Sequence, residues 1–261
     1  MPEPSPSHLV LIPSYNTGDL VLRTVGEALQ AWAPVWVVVD GSDDGSRGKL
    51  EAMARNEPNL RVMHHDRNQG KGSAVLTGLE QAAAEGFAAV LVMDADGQHP
   101  ADRIARFMAV SAAQPGALVL GLPVFDDTAP AERLFGRKIA NFLTDVETLW
   151  GGIGDCLFGF RVYPIGPLLE VMRRCRFARR FDFDPEVAMR LVWRGVPVVN
   201  IPCPCRYLEA GEGGVSHFNY VRDNLLLAWM YHRLMAGMLL RLPVLLLRRL
   251  AAKQPPRTVE G

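Results

Sequence analysis

Apolar and amphipathic stretches alternate along the first half of the chain. The apolar stretches are rich in Val, Leu and Ile, which is typical of strands buried on both faces. They cover residues 8–12, 35–39, 60–63, 88–93 and 117–120. The stretches between them predict helices over 20–32, 46–55 and 72–84, and a further helix that begins at Pro100. This alternation predicts an α/β fold, in which a mainly parallel sheet is flanked by helices.

The pattern becomes less regular after Leu122. It predicts, in order, a loop, a helix, a strand, a second helix and a last strand. These elements cover residues 125–130, 131–150, 156–163, 185–194 and 196–201. We expect residues 8–210 to form one domain around this sheet.

Polar residues directly follow the first four predicted strands. These groups are residues 14–16, 40–44, 66–71 and 94–99. In a parallel α/β sheet, functional groups gather outside the carboxyl ends of the strands. The four polar loops therefore predict one site at a single edge of the sheet.

Composition narrows the classes of function that fit this fold. Of the 261 residues, 49% are hydrophobic, so we expect a large core rather than a disordered chain. Lys and Arg number 28 and Asp and Glu also number 28, and this balance argues against a dedicated nucleic-acid binder. The spacing of the four cysteines favours neither a disulfide scaffold nor a zinc module, and free cysteines suit a reducing cytosol.

Asp94-Ala95-Asp96 is the sharpest local signal for chemistry. Residues i and i+2 of an extended segment point to the same side, so both carboxylates can face one point. Two adjacent carboxylates and the following Gln98 suit a hard cation such as Mg²⁺ or Mn²⁺. The alternative is a solvated turn after a strand, because Asp and Gly are common turn residues.

Two Gly-containing loops have the chemistry of a nucleotide site. The segment 40–46 (DGSDDGS) offers hydrogen bonds to a base or ribose, although a simple strand-to-helix turn explains it as well. The segment 68–73 (NQGKGS) opens a helix, and its backbone N–H groups and Lys71 would suit a diphosphate. Its alternative is a Gly-rich helix start that carries a surface lysine.

Taken together, these loops resemble the family-2 glycosyltransferases, which have the Rossmann-like GT-A fold. The resemblance covers about residues 9–207, and the Asp94 to His99 segment is most similar to the polyprenyl-phosphate branch typified by dolichyl-phosphate mannose synthase. It implies Asp94, Asp96 and Gln98 as ligands of Mg²⁺ or Mn²⁺. It also implies a set of contacts to a nucleotide-sugar: Pro13, Tyr15, Asn16, Asp40, Gly41, Ser42, Asp44, Lys71, Asp94, Ala95 and Arg161. One position departs from the family, because Val39 replaces the first Asp of the Asp-Asp-Gly-Ser element.

The resemblance implies a metal-dependent inverting transfer of a sugar from a UDP- or GDP-sugar to a lipid-linked or apolar acceptor. Asp184 is the candidate catalytic base by position, and Glu186 is the second candidate. A base is needed only if the acceptor is a hydroxyl, since a lipid phosphate is already anionic. The alternative role for Asp184 is a helix N-cap.

The C-terminal segment brings a membrane into the prediction. We expect a flexible loop and one or two interfacial helices over residues 211–250, with Pro243 breaking the second half. Packing of these helices on the domain or on a second subunit is the alternative. We expect disorder over 1–7, where no signal peptide is recognised, and over 251–261. The protein is then expected to be cytoplasmic, peripheral on the inner face of the cytoplasmic membrane.

Two other functions fit parts of the sequence. Val39 permits a catalytically weak glycosyltransferase-like scaffold that binds a nucleotide. A sugar-nucleotide pyrophosphorylase would also have an α/β nucleotide site, but the loop after the first strand lacks the Gly-rich, basic character that it would need.

Overall fold

The computed structural model describes residues 2–125, 131–205, 219–251 and 257–259. Strands and helices alternate through the first half: β1 (His8–Ser14), α1 (Leu20–Ala31), β2 (Val35–Asp40), α2 (Ser46–Ala54), β3 (Leu60–His65), α3 (Lys71–Ala84), β4 (Ala89–Val92), α4 (Ile104–Ala113) and β5 (Leu118–Phe125). The remaining elements are α5 (Ala131–Thr148), β6 (Arg161–Pro164), α6 (Ile165–Arg174), α7 (Phe183–Trp193), β7 (Val198–Cys205), α8 (Tyr220–Ala251) and β8 (Arg257–Thr258).

All eight strands form one sheet in the order β3-β2-β1-β4-β6-β5-β7-β8. Neighbouring strands are parallel except at β6, which is antiparallel to both β4 and β5. The predicted α/β class and mainly parallel sheet are therefore confirmed. The chain order reverses between β1 and β4, and this is where the polar loops after β1, β2, β3 and β4 meet.

The core lies on both faces of the sheet. Alternate residues of a strand point to opposite faces, and β1 sends Leu9 and Leu11 to one side and Val10 and Ile12 to the other. The first side is covered by α3, α6, α7 and α8, and the second by α1, α2 and α4. Strands β1, β2 and β4 are buried along their whole length, which explains why most of their residues are apolar.

Three elements differ from the sequence prediction. The expected strand over 156–163 is confined to β6, because the preceding residues turn around Asp155, whose carboxylate accepts the N–H groups of Leu157 and Phe158. Helix α6 was not predicted at all. The C-terminal segment forms one helix that includes Pro243, whereas a break was expected there.

The two termini also differ from the disorder expected for them. The backbone N–H of Ser5 donates to Ala33 O at 2.8 Å, which holds the N-terminal segment against the domain. Strand β8 lies within the predicted disordered tail and extends the sheet beside β7. A loop was predicted over 125–130; Phe125 is the last residue of β5, and 126–130 lie outside the described residues. The predicted flexible segment that begins at 211 also lies outside them as far as 218.

Two loops from distant parts of the sequence approach each other closely at Gly72. The Gly72 N–H donates to Arg179 O at 3.0 Å, and a Cβ at Gly72 would lie 2.1 Å from Ala178 O. Ala178 itself has a positive φ of 59°, which is uncommon for a residue other than Gly. The start of α3 is therefore fitted against the segment before α7 by contact between backbones.

We predict that Gly72→Ala destabilises the fold by about 1–3 kcal/mol, because the added methyl group forces two backbones apart. Gly48→Ala is the matched control, since a Cβ at this position in α2 meets nothing within 4 Å. That change is expected to stabilise the protein by up to about 1 kcal/mol through helix propensity. Thermal unfolding of the two variants measures the difference, and equal melting temperatures would contradict the close approach.

Candidate active site

Lys71 joins the ends of three elements at the carboxyl edge of the sheet. Its ammonium is 2.6 Å from Asp94 Oδ1 and 2.6 Å from Asp184 Oδ2. Lys71 is the first residue of α3, Asp94 follows β4, and Asp184 lies in the first turn of α7. The structure thus brings together three predicted site residues that are far apart in sequence.

The charges in this cluster hold one another ionised. Burial alone would lower the pKa of Lys71, but the charges of Asp184 and Asp94 outweigh burial and raise this pKa. Burial would likewise raise the pKa of Asp94, and Lys71 reverses that effect so that the pKa is lowered. Lys71 therefore stays an ammonium and Asp94 a carboxylate near neutral pH.

Asp96 lies beside this cluster in a different electrostatic setting. Burial and the charge of Asp94 raise the pKa of Asp96, and the opposing effects of His99, the Gln98 N–H and Lys71 are too small to reverse this. The backbone N–H of Gln98 donates to Asp96 Oδ1 at 3.0 Å. His99 is buried and accepts the Asp94 N–H on Nδ1 at 2.9 Å, and burial lowers the pKa of its imidazole so that it stays neutral.

The carboxylates of Asp94 and Asp96 are of the type that binds a divalent cation, although they do not form a complete set of ligands around one point. Within the described residues, no group of three or more His, Cys, Asp or Glu side chains surrounds one point. Two observations favour a missing positive charge: the raised pKa of Asp96, and Asp184 Oδ1, which is buried without a hydrogen-bond partner in the described part of the chain. Hard oxygen donors of this kind suit Mg²⁺ or Mn²⁺.

Asp40 supports the site rather than facing it. This side chain is almost fully buried and accepts the backbone N–H groups of Gln69 and Gly70 at 2.9 and 2.7 Å. His65 Nδ1 lies 2.7 Å from the same carboxylate. The direct nucleotide contact expected of Asp40 is thus replaced by a positioning role, in which it fixes the loop that presents Lys71.

The loops after β1 and β2 are joined by side-chain bonds. The Asn16 N–H donates to Ser42 Oγ at 3.0 Å, and Asp44 Oδ2 accepts the Gly18 N–H at 2.7 Å. Gly41 has a φ of +70°, and a Cβ there would lie 2.3 Å from the Arg67 carbonyl carbon. Three further predicted contacts fall at the same edge: Pro13 is buried in β1, Tyr15 is partly buried beside it, and Ala95 is buried after β4.

Arg161 was expected to contact the nucleotide-sugar, and the structure corrects this. Its side chain is fully buried and donates to backbone carbonyls, at 2.7 Å to Phe158 and 2.6 Å to Asp184. The guanidinium is thus occupied in fixing the backbone of Asp184. The Gly-Phe-Arg motif is compatible both with contact to the nucleotide-sugar and with fixing the backbone, so the sequence alone could not distinguish these two roles of Arg161.

The two catalytic candidates on α7 face different parts of the protein. Glu186 is fully buried and accepts bonds from Arg190 of the same helix and Arg233 of α8, at 2.7–2.8 Å. It therefore lies apart from the cluster at Lys71. The N-cap alternative for Asp184 is wrong, because Asp182 occupies the cap position and the Asp184 side chain contacts Lys71.

Glu147 of α5 is a buried acid that the sequence pattern did not reveal. Both carboxylate oxygens are buried without a hydrogen-bond partner among the described residues. Burial, with a smaller contribution from the charge of Glu186, raises the pKa of Glu147 to about 8. A glutamate within a helix with polar residues on one face gives no sign of this in the sequence.

The family model of Glycosyl transferase family 2 matches residues 9–170, which include Lys71, Asp94 and Asp96 but not Asp184. The chain belongs to glycosyl transferase family 2. This glycosyltransferase is 29% identical over 225 residues to polyprenol monophosphomannose synthase of Mycolicibacterium smegmatis, covering 83% of each chain. It is also 25% identical over 222 residues to undecaprenyl-phosphate mannosyltransferase of Micrococcus luteus, covering 80% of this chain and 87% of the relative. The family and branch expected from the motifs are confirmed.

Solved structures agree with the fold of this family 2 glycosyltransferase. Glucosyl-3-phosphoglycerate synthase of Mycobacterium tuberculosis, solved with Mn²⁺, UDP and phosphoglyceric acid, superposes with a TM-score of 0.61 at 16% identity. The match covers 92% of this chain and 84% of that one. The GT-A architecture is therefore confirmed, and membership of the family is not compatible with the pyrophosphorylase alternative.

We predict that Glu147→Gln stabilises the glycosyltransferase at alkaline pH. The folded-state pKa of about 8 lies above the ordinary value, so Glu147 favours the fold at acidic pH and that contribution is lost as the pH rises to about 8. The variant, which carries no ionisable group there, is expected to gain on the order of 2 kcal/mol over the wild type at pH 9. Denaturant unfolding from pH 5 to pH 9 measures this, with the exposed Glu27→Gln as control. Parallel pH profiles for wild type and Glu147→Gln would contradict the burial of this charge.

Proposed function

We propose that this glycosyltransferase transfers a sugar from a nucleotide-sugar to a polyprenyl phosphate, in one displacement that inverts the anomeric carbon. The observation that carries the proposal is the convergence of Lys71, Asp94 and Asp96 at the carboxyl edge of the sheet, beside the Gly-rich start of α3. This arrangement offers positive charge and backbone N–H groups to a diphosphate, and carboxylates to the cation that accompanies it.

Residues of the four loops would divide the work of binding the donor. Asp96, with Asp94 and Gln98, would hold Mg²⁺ or Mn²⁺, which when bound neutralises charge that develops on the leaving diphosphate. The joined loops that contain Asn16 and Ser42 would receive the nucleoside. Lys71 would bind the diphosphate, supported by the contact of Asp40 with the preceding backbone.

The names of the relatives favour a lipid phosphate over the other acceptors considered. Polyprenol monophosphomannose synthase and undecaprenyl-phosphate mannosyltransferase both carry such an acceptor in their names. A phosphate oxygen at neutral pH is already an anion and needs no general base to attack the anomeric carbon. On this proposal Asp184 positions Lys71 and does not accept a proton.

Helix α8 supports a location at the membrane surface. The segment Val221–Leu250 is, among the helices in the described ranges, the one long and apolar enough by composition to cross a membrane. Met230, Leu234, Met238 and Leu245 are buried against the domain, while the opposite face exposes large apolar side chains that include Trp229 and Leu240. A helix that packs on one side and is apolar on the other suits the interface of a bilayer, and we propose peripheral attachment to the inner face of the cytoplasmic membrane.

Helix α5 adds to this exposed apolar surface. Phe135, Ile139 and Phe142 lie at helical spacing and are 67%, 48% and 61% exposed. Tyr231 of α8 donates its hydroxyl to Ala140 O at 3.2 Å, so the two helices adjoin. An isoprenoid chain held in lipid could then reach the domain along either helix.

The direct test is sugar transfer by the purified protein. UDP- and GDP-sugars are offered with Mn²⁺ and a short-chain polyprenyl phosphate, and the glycolipid is measured by mass spectrometry. Formation of a polyprenyl-phosphate sugar supports the proposal. Binding of a nucleotide-sugar without transfer for any donor would favour the catalytically weak scaffold instead.

We predict that Asp96→Asn abolishes stabilisation by Mn²⁺ plus nucleotide, which is worth about 2.7 kcal/mol at a hundredfold excess over Kd. Without ligands the variant is expected to unfold at the same temperature or higher, because the change removes a partly buried charge next to Asp94. Thermal-shift measurements with UDP and GDP test both statements. Asp102→Asn, an exposed acid nearby, is the control, and an unchanged ligand-dependent shift in Asp96→Asn would remove this residue from the site.

We predict that Leu240→Glu with Leu247→Glu weakens binding to anionic vesicles at least tenfold, because two charges enter the exposed apolar face of α8. Co-sedimentation with liposomes provides the measurement. Gln30→Glu with Ala112→Glu adds the same charge at exposed positions on α1 and α4 and is expected to bind like the wild type. If both double variants bind equally, or if the wild type does not bind at all, α8 is not the membrane contact.

A further inference from the structure

The ammonium of Lys71 occupies a position that a second cation would also seek. It contacts Asp94 Oδ1 and Asp184 Oδ2, both at 2.6 Å, while Asp96 lies in the same acidic group. The Lys71 side chain is only 20% exposed, so solvent screens its charge poorly. A divalent ion that binds Asp94 therefore meets a positive charge already bound to the same carboxylate.

The backbone around Lys71 is fixed, whereas its side chain can move. The preceding Gly70 N–H is held by Asp40, and the following Gly72 N–H is held by Arg179 O. The Cα of Lys71 is thus anchored on both sides. Beyond such an anchor, a lysine side chain has a flexible stem of four carbons that ends in a compact charge. The ammonium can therefore leave one anionic partner and bind another.

We propose that Lys71 is an exchangeable counter-ion, which holds Asp94 and Asp184 in the empty enzyme and moves to the donor diphosphate when a divalent cation takes Asp94. The inference rests on the proposed function only in that the donor carries a diphosphate. Its consequence is that the cation binds weakly alone and tightly together with a nucleoside diphosphate. Metal and donor then enter as a unit, and Asp94 has a cationic partner both before and after the exchange.

The choice of lysine agrees with this exchange. A planar guanidinium could bind the two carboxylates through several fixed N–H groups and would release them less easily. Arg161, directly behind Asp184, shows the contrasting case: it is fully buried and bound to fixed carbonyl groups. Arg161 is thus fixed in place, whereas Lys71 is free to change its partners.

The test measures Mn²⁺ binding by titration calorimetry, with no sugar donor and no turnover. Wild type, Lys71→Met and Lys71→Gln are compared, first with Mn²⁺ alone and then with Mn²⁺ in the presence of UDP or GDP. Lys71→Gln keeps hydrogen-bond donors between the carboxylates and guards against misfolding of the Met variant, which circular dichroism and thermal unfolding also monitor. Lys49→Met is the matched control, because it removes a lysine paired with Asp19 at an exposed site.

We expect both Lys71 variants to bind Mn²⁺ alone about tenfold more tightly than the wild type and the Lys49→Met control. Nucleoside diphosphate should then tighten Mn²⁺ binding to the wild type at least tenfold more than it tightens Mn²⁺ binding to the Lys71 variants. Equal or weaker binding of Mn²⁺ alone by both Lys71 variants overturns the proposal. If that result accompanies sugar transfer by the wild type, only the counter-ion role fails; if the exchange is observed without transfer, the proposed function fails instead.

Discussion

The rest of the site depends on neutralising negative charge at the end of a parallel sheet. Asp94 and Asp184 reach this edge from different elements, and the two carboxylates would repel each other in a partly dry environment. The single ammonium of Lys71 between them, 2.6 Å from each, ties β4, α3 and α7 together. The same contact therefore organises the fold locally and sets the electrostatics that the chemistry uses.

Several polar residues of the motifs serve to shape backbone rather than to meet a ligand. Asp40 and Asp182 each accept two backbone N–H groups, from Gln69 and Gly70 and from Ala178 and Arg180 respectively. Each carboxylate stabilises a loop that has few partners within regular structure. Asp40 and Asp182 thus stabilise the loops that lead to Lys71 and Asp184.

Sequence patterns predicted the class of fold, most strands and the edge at which the site lies, because hydrophobic periodicity and strand-end polarity are local signals. They did not reveal α6, and they extended one strand into the turn around Asp155, since long-range pairing decides both. Motifs do not show how a side chain is oriented: Arg161 and Glu186 are buried in bonds to distant groups. Glu147 left no signal, because its burial depends on how α5 packs against α7 and α8. The ligand roles of Asp94, Asp96 and Gln98 stay predictions.

Helix α7 has two acids with opposite attachments within its first turn. Asp184 holds Lys71, and two positions later Glu186 holds Arg233 of α8. Two residues along a helix correspond to a rise of about 3 Å. If α8 lies in the lipid headgroups, this connection through one turn of α7 fixes the position of the Lys71 site relative to the bilayer surface.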